Sequence, residues 1–359
     1  MSRSITRWLA VLMALAGCIA AAAPAVAAPG STIVRPDDPR LRFMGHWGHT
    51  ANAVITVNSG SELTFGFTGH TLHGLFDTST ITVPSQIYVS IDAGPPVFYK
   101  VDHDDIDFTP TPLAGFLHTV RIDVKDVDEY ENRWILPLQS GVVLTGFELD
   151  RLAAVLPGPP VGPLHMDFFG DSITEGVLAL CPTLGVDCAD GTVDYAHLTG
   201  QAFHANFNQV GFGKQGIIQP GHGNVGTASQ SFGWNFQGSP SDPHFDPDAV
   251  VVNQGTNDGT FSSADFRPGY LAYLQEIRAA DPRAWIFAMR PFGGYHASDI
   301  AWAVQQTDDP KVVYVDTTGW LSVAAGDFTG TTHPDVQGHR KAADLLIAVI
   351  ESVTGWRAS

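Results

Sequence analysis

Residues 164–176 read LHMDFFGDSITEG, and this segment indicates the fold class of the second half of the chain. A mainly apolar run opens it, as expected for a buried parallel strand, and residues typical of a helix start follow. Ser172 therefore lies where a strand turns into a helix. The unpaired N–H groups of a helix start can stabilise an alkoxide or oxyanion beside the Ser172 hydroxyl. The alternative is a helix cap, because Glu175 has capping-box spacing to Ser172.

The same pattern of an apolar run followed by a helical segment recurs later in the chain. Apolar runs at residues 249–253, 285–289 and 312–315 alternate with helical segments that include 265–280 and 336–353. This alternation predicts an α/β domain over residues 164–359, with an open parallel sheet flanked by helices. In such sheets the reactive groups lie at the carboxyl ends of the strands.

Two later segments carry polar residues next to this predicted framework. Asn257 follows the run at 249–253, and its amide could donate to developing negative charge, a contribution of about 3 kcal/mol. An Asn-Asp-Gly turn is the alternative. His333, in the segment THPDVQGH before the last helix, suits a general base that accepts the serine proton. The alternative is a histidine in a surface loop with no catalytic role.

Residues 31–155 follow a different pattern of short alternating runs between turn residues. The runs include 53–57, 62–67, 87–91, 118–124 and 142–149. With no convincing helix between them, they predict an all-β, jelly-roll-like sandwich. Residues 156–163 read LPGPPVGP, which cannot hold a helix or a central strand, so we predict a stiff linker there.

Residues 1–28 have the layout of a signal peptide. Arg3 and Arg7 precede an apolar run, and the small residues 25–27 form a cleavage site, which predicts a secreted or periplasmic protein. The segment LAGC ending at Cys18 resembles a bacterial lipobox, so a lipid-anchored protein is the alternative. No other stretch approaches the ~20 apolar residues needed to span a bilayer.

The charge and cysteine composition limits the classes of binding partner that the sequence supports. With 37 acidic and 19 basic residues, the net charge is -18, which disfavours binding to nucleic acids and anionic lipids and favours a neutral or solid substrate. Beyond the signal only Cys181 and Cys188 remain, and an exported protein is expected to join them in a disulfide. The histidines show no metal-ligand spacing, so we predict no metal and no cofactor.

The blocks around Ser172, Asn257 and His333 resemble, in order and spacing, those of the SGNH, or GDSL-type, hydrolases. The resemblance implies Ser172 as the nucleophile and His333 as the base. It also implies an oxyanion hole built from the Ser172 backbone N–H and the Asn257 side chain.

The loop at residues 210–217 resembles the second block of that family, which supplies a third oxyanion donor from its backbone. Depending on the register, the donor is Lys214 or Gly213. The family usually has Asp three residues before the histidine, where this chain has Gly330. Asp327 or a backbone carbonyl could orient the imidazole instead. The departure matters, because damaging this acid in a serine protease costs ~10⁴ in rate.

A β-sandwich before an SGNH domain resembles the family 2 carbohydrate esterases, which remove acetyl groups from plant polysaccharides such as xylan. Residues 61–69, 91–94 and 117–122 carry looser matches to that family. Some of its members orient the histidine with a backbone carbonyl. Trp234 is a candidate sugar platform, since sugar faces stack on aromatic rings, and anchoring its loop into the core is the alternative.

Together these features predict an exported serine esterase that removes acetyl groups from an acetylated polysaccharide or oligosaccharide through an acyl-enzyme. A general short-chain esterase or lipase is one alternative. A carbohydrate-binding protein with a catalytically weakened hydrolase domain is another, and it is suggested by Gly330 and Lys214. The sequence leaves the acyl length, the sugar and the oligomeric state open.

Overall fold

The structure is a computed structural model that describes residues 30–359. The predicted signal peptide at 1–28 and the lipobox cysteine Cys18 lie outside the described residues.

Residues 30–157 form a β-sandwich without an α-helix. Its strands are β1 (Thr32–Val34), β2 (Arg42–Met44), β3 (Gly48–His49), β4 (Val54–Thr56), β5 (Glu62–Thr68), β6 (Leu72–Phe76), β7 (Gln86–Ile91), β8 (Val97–Lys100), β9 (Asp105–Asp107), β10 (Leu117–Asp126), β11 (Val142–Leu149) and β12 (Val155–Pro157). One antiparallel sheet has the order β3-β4-β11-β6-β9 with β1 on β11, and the other has the order β12-β5-β10-β7-β8 with β2 on β5. The predicted all-β sandwich is confirmed.

Alternation along the strands explains how the two sheets pack. Leu63, Phe65 and Phe67 occupy every second position of β5 and are almost completely buried. The Phe65 ring packs on Phe147 of β11 with a centroid distance of 4.7 Å. Aromatic contacts of this kind fill the space between the two sheets.

The segment predicted as a linker begins inside the last strand of the sandwich. Leu156 and Pro157 belong to β12, which pairs with β5 at the edge of its sheet, where a proline is tolerated. Residues 158–164 have no helix or strand.

Residues 165–354 form the α/β region. Its strands are β13 (His165–Gly170), β14 (Asn206–Gly211), β15 (Trp234–Phe236), β16 (Ser239–Pro240), β17 (Ala249–Asn253), β18 (Trp285–Met289), β19 (Val312–Val315), β20 (Phe328–Thr329) and β21 (His333–Pro334). Its helices are α1 (Ser172–Glu175), α2 (Tyr195–Ala202), α3 (Ala228–Ser231), α4 (Ser263–Ala280), α5 (Ala297–Gln306) and α6 (Val336–Thr354). The parallel sheet has the order β14-β13-β17-β18-β19, which confirms the predicted open sheet with helices. The chain reverses its direction of progress across the sheet at β13, where such folds place their sites.

The sandwich and the α/β region share a hydrophobic core. Trp134 and Leu138, from the segment between β10 and β11, are buried in one cluster with Phe169 and Phe212. The Trp134 and Phe212 rings meet edge to face at 5.7 Å. Because Phe212 lies in the loop after β14, the sandwich packs directly against one wall of the candidate site.

Candidate active site

Ser172 and His333 meet at the carboxyl end of β13. Ser172 is the first residue of α1, whose N-cap Asp171 accepts a hydrogen bond from the Ile173 N–H. The Ser172 Oγ lies 2.9 Å from Nε2 of His333, which is carried by β21 just before α6. The fold therefore brings together two predicted residues that lie 161 positions apart in the sequence.

The surroundings of His333 favour a neutral imidazole. Burial lowers the pKa of His333 below its ordinary value of 6.5, because the charged form loses hydration. A neutral ring can accept the Ser172 proton at Nε2, as a general base must.

Asp327 does not orient His333 in this structure. Its carboxylate accepts hydrogen bonds from Lys341 Nζ and from the Ser322 N–H, both at 2.8 Å. The hydrogen bond from Lys341 holds the Asp327 pKa below its usual value. Within residues 30–359 no carboxylate is hydrogen-bonded to the His333 ring, so the role predicted for Asp327 is not supported.

Asn257 lies in the loop after β17, on the same edge of the sheet. Its Nδ2 donates to the backbone carbonyl of Gln215 at 2.9 Å. An amide group has two N–H donors, so this contact fixes the side chain and leaves one hydrogen for another acceptor.

The loop after β14 distinguishes the two candidate backbone donors. Lys214 has a φ of 62°, the left-handed conformation that usually favours glycine. Gly213 interacts through its backbone N–H with the buried carboxylate of Glu175. A Cβ at Gly213 would clash with a Glu129 carboxylate oxygen, so a larger residue there would have to displace that side chain. No described residue accepts a hydrogen bond from the Lys214 N–H, and this geometry favours Lys214 over Gly213 as the donor.

Three backbone hydrogen bonds to one carboxylate hold the same loop. Asp258 accepts the N–H groups of Ile217, Ile218 and Gln219 at 2.7, 2.9 and 3.1 Å. Sequence reasoning gave no role to Asp258, although it directly follows Asn257.

A buried ion pair crosses from the sandwich to α1. Both Arg133 and Glu175 are fully buried, and the guanidinium contacts both carboxylate oxygens. Burial raises the pKa of Glu175, whereas Arg133 favours its charged form. Glu175 thus connects the helix of Ser172, the loop of Gly213 and the other domain. Sequence reasoning missed Arg133, which carries no local signal.

Trp234, predicted as a sugar platform, lies elsewhere. It is 39% exposed on β15, and its backbone carbonyl is 3.4 Å from Nδ1 of His46. Its neighbours Phe232, Gly233 and Asn235 line a cavity near the amino ends of the parallel strands. No contact joins Trp234 to Ser172 or His333.

The remaining sequence predictions concern a disulfide, metal binding and membrane spans. A disulfide joins Cys181 to Cys188 in the loop after α1, as predicted. Among residues 30–359, no three His, Cys, Asp or Glu side chains are grouped so that they could hold a metal ion. In the same part of the chain, no helix combines the length and apolarity that crossing a membrane requires.

Comparison with known proteins finds a family model that matches the α/β region. Residues 168–341 match the model of the GDSL-like lipase/acylhydrolase family. A sequence search of curated proteins gave no match.

Solved structures match most of the chain. A family two carbohydrate esterase from Clostridium thermocellum, in complex with cellohexaose, has a TM-score of 0.74 at 20% identity, covering 88% of this chain and 99% of that one. A family two carbohydrate esterase from Cellvibrio japonicus gives a TM-score of 0.75 at 20% identity, covering 91% and 98%. An acetyl xylan esterase from Butyrivibrio proteoclasticus gives 0.70 at 17% identity, covering 91% and 98%. The chain therefore carries a GDSL-like lipase/acylhydrolase domain behind a β-sandwich, in the two-domain fold of family 2 carbohydrate esterases, and it is a carboxylic ester hydrolase.

Proposed function

We propose that the protein is an exported serine esterase that removes acetyl or other short acyl groups from carbohydrate. The observation that carries this proposal is the 2.9 Å contact between Ser172 Oγ and His333 Nε2 at the carboxyl end of the parallel sheet. A hydroxyl in this contact is activated as it attacks, because the imidazole takes its proton.

The first half-reaction forms an acyl-enzyme. Ser172 Oγ attacks the ester carbonyl carbon while its proton moves to Nε2 of His333. The tetrahedral oxyanion accepts hydrogen bonds from the N–H groups of Ser172 and Lys214 and from Nδ2 of Asn257. The intermediate then collapses, the sugar oxygen leaves with the proton from His333, and the acyl group stays on Ser172.

The second half-reaction returns the enzyme to its starting state. Water attacks the acyl carbon and gives a proton to Nε2 of His333. The second tetrahedral intermediate uses the same three donors. Its collapse breaks the bond to Ser172 Oγ, which regains the proton from His333, and the carboxylic acid is released and loses its proton to solvent.

A backbone carbonyl, rather than an acid, is proposed to orient His333. Two observations support this: Asp327 is bound to Lys341, and no carboxylate among residues 30–359 reaches the His333 ring. Burial already favours the neutral ring, so the site depends less on a charged partner.

A carbohydrate ester is the proposed substrate because of the net charge of the protein and the fold that it shares with carbohydrate esterases. The net charge of -18 disfavours anionic polymers, whereas neutral polysaccharides carry no repelling charge. The fold is shared with carbohydrate esterases, one of them solved with cellohexaose. Export is inferred from the signal-like residues 1–28.

A carbohydrate-binding protein with a weakened hydrolase domain is the second candidate. The missing acid partner of His333 and the left-handed backbone at Lys214 are its support. It predicts saccharide binding without turnover.

The test is acetate release from acetylated xylan by the mature protein, beside a soluble aryl acetate and a longer aryl ester. Each substrate is also given to Ser172→Ala, which keeps the fold but lacks the hydroxyl. We expect release from the xylan and the aryl acetate that the variant loses. Faster turnover of the longer ester would indicate a general esterase or lipase, and no turnover would favour the binding protein.

A further inference from the structure

A large cavity lies near the amino ends of the parallel strands, whereas Ser172 lies at the carboxyl end of β13. Its volume is about 770 Å³, within the range of small-ligand sites. Asp167 and Phe169 line it from β13, and Asn206 and Asn208 line it from β14. Residues of the sandwich, the segment before β17 and the end of α4 complete the walls. Asp167 is the third residue of β13, whereas Ser172 follows the end of this strand at Gly170.

Aromatic rings form the apolar part of this cavity. Phe43 and Trp47 lie together on the sandwich side with ring centroids 5.1 Å apart. Phe245, from the segment before β17, also lines the cavity, and its ring stacks on His165 at 5.0 Å with 17° between the planes. The cavity therefore has aromatic surfaces on two of its walls.

Hydrogen-bonding groups are fixed between these rings. Asn208 Nδ2 donates to Asp167 Oδ1 at 2.7 Å, and Asn208 Oδ1 accepts from the Gly45 N–H at 3.1 Å. These contacts lock both side chains. Burial raises the pKa of Asp167 to about 8, so its carboxyl carries a hydrogen at neutral pH and can donate it.

The cavity carries little unpaired charge. The rim carboxylate of Asp246 is paired with Arg283. Burial raises the pKa of Asp281 to about 6. An anionic ligand would find Arg283 already paired with Asp246 and the carboxylates of Asp242 and Asp281 nearby, and a purely apolar ligand would bury Asp167 and Asn208 without new partners.

We propose that this cavity binds a neutral oligosaccharide. Such a ligand combines apolar ring faces, which stack on the partly exposed rings of Phe43 and Phe245, with hydroxyls that pair with Asp167 and Asn208. The proposal is independent of the esterase mechanism, because it uses none of the groups around Ser172. A sugar chain bound here holds the protein on its polymer and leaves Ser172 free.

The experiment is calorimetric titration of the full mature chain with cellohexaose and with xylohexaose, which carry no ester. Phe245→Ala removes one aromatic wall, and Ser241→Trp fills the cavity from its rim. Phe98→Ala is the matched control, because Phe98 is 44% exposed on β8 and does not line the cavity. Thermal unfolding and aryl acetate turnover report whether each variant is folded.

We expect at least one hexasaccharide to bind, about tenfold more weakly to Phe245→Ala, with binding lost in Ser241→Trp and unchanged in Phe98→Ala. Absence of binding by both sugars overturns the proposal, as does unchanged binding in both cavity variants. If either variant fails to fold, a crystal of the unaltered protein soaked with cellohexaose decides. Sugar density between Phe43 and Phe245 supports the proposal, and its absence there overturns it.

Discussion

The two ends of β13 differ. Its carboxyl end leads into Ser172, where hydrogen bonds and an ion pair fix the polar groups. Near its amino end the strand borders an open cavity of about 770 Å³. Around Ser172, Asp258 binds three backbone N–H groups and Arg133 binds Glu175. Near the other end, Asp167 and several aromatic rings line the same cavity. The first arrangement fixes donors before the substrate arrives, as charge stabilisation requires, and the second leaves room for a ligand.

The largest expected difference between the two ends is in turnover. Ser172→Ala should reduce kcat/KM on an aryl acetate by at least ~10⁴, since it removes the nucleophile. Phe245→Ala, near the other end, should leave turnover unchanged. Steady-state kinetics of both proteins at one pH provide the measurement. Equal losses of kcat/KM in the two variants would contradict separate roles for the two ends of β13.

The next difference is in stability, between a buried and an exposed ion pair. Arg133→Met leaves Glu175 buried without a partner and should lower the free energy of unfolding by about 3–5 kcal/mol. Arg283→Met breaks the exposed pair with Asp246 and should cost about 0–1 kcal/mol. Urea unfolding compares them, and Arg133→Met combined with Glu175→Leu should regain most of the loss. Equal costs for the two arginines would show that the buried pair is not a structural anchor.

Oxyanion stabilisation should distinguish two asparagines. Asn257→Ala should lower kcat by about 10²-fold or more while changing KM less, because a transition-state donor is lost. Asn206→Ala, in the cavity, should have no such effect. If the kcat of Asn257→Ala stayed within a few-fold of wild type, the amide would not face the oxyanion.

The two ends should also titrate on opposite sides of neutrality. Turnover needs neutral His333, whose pKa burial lowers, so kcat/KM should fall only as the pH drops through a midpoint below 6.5. Oligosaccharide binding should weaken as the pH rises through about 8, where Asp167 ionises and loses its donor hydrogen. Asp167→Asn should remove that second transition. A turnover midpoint above 6.5 would refute the assignment for His333.

The smallest expected effect is at Asp327. Asp327→Asn breaks a contact with Lys341 near the surface, so its stability should change by about 0–1 kcal/mol and its turnover by only a few-fold. A loss approaching the ~10⁴ seen when a protease triad acid is damaged would restore Asp327 as the partner of His333. Steady-state kinetics on the aryl acetate decide between these outcomes.

Continuous apolar runs predicted most of the parallel sheet. β17, β18 and β19 begin and end at the predicted residues, and β13 is offset by one. β14 was missed because Asn206, Asn208 and Gln209 interrupt its apolar pattern. Their polarity has structural causes: Asn208 binds Asp167, and Gln209 Nε2 donates to the carbonyls of Thr174 and Gly191 at 2.9 and 3.0 Å.

Only those residues of the candidate site that lie in ordered sequence motifs could be predicted from the sequence. Ser172, Asn257 and His333 follow from their blocks, whereas Arg133 lies 42 positions before Glu175 in a different domain and has no motif. Asp327 was suggested by closeness in sequence to His333, but the β20–β21 turn and α6 direct its carboxylate to Lys341. Partners across long sequence separations need the tertiary structure.

Covalent labelling examines whether Ser172 is a nucleophile activated by His333. The mature protein, Ser172→Ala and His333→Ala are treated with a fluorophosphonate ester, and the adduct is located by peptide mass spectrometry. We expect one adduct, on Ser172, that is absent from Ser172→Ala and forms far more slowly in His333→Ala. An adduct on another residue, no adduct at all, or equal labelling rates with and without His333 would refute the assignment of Ser172 and His333.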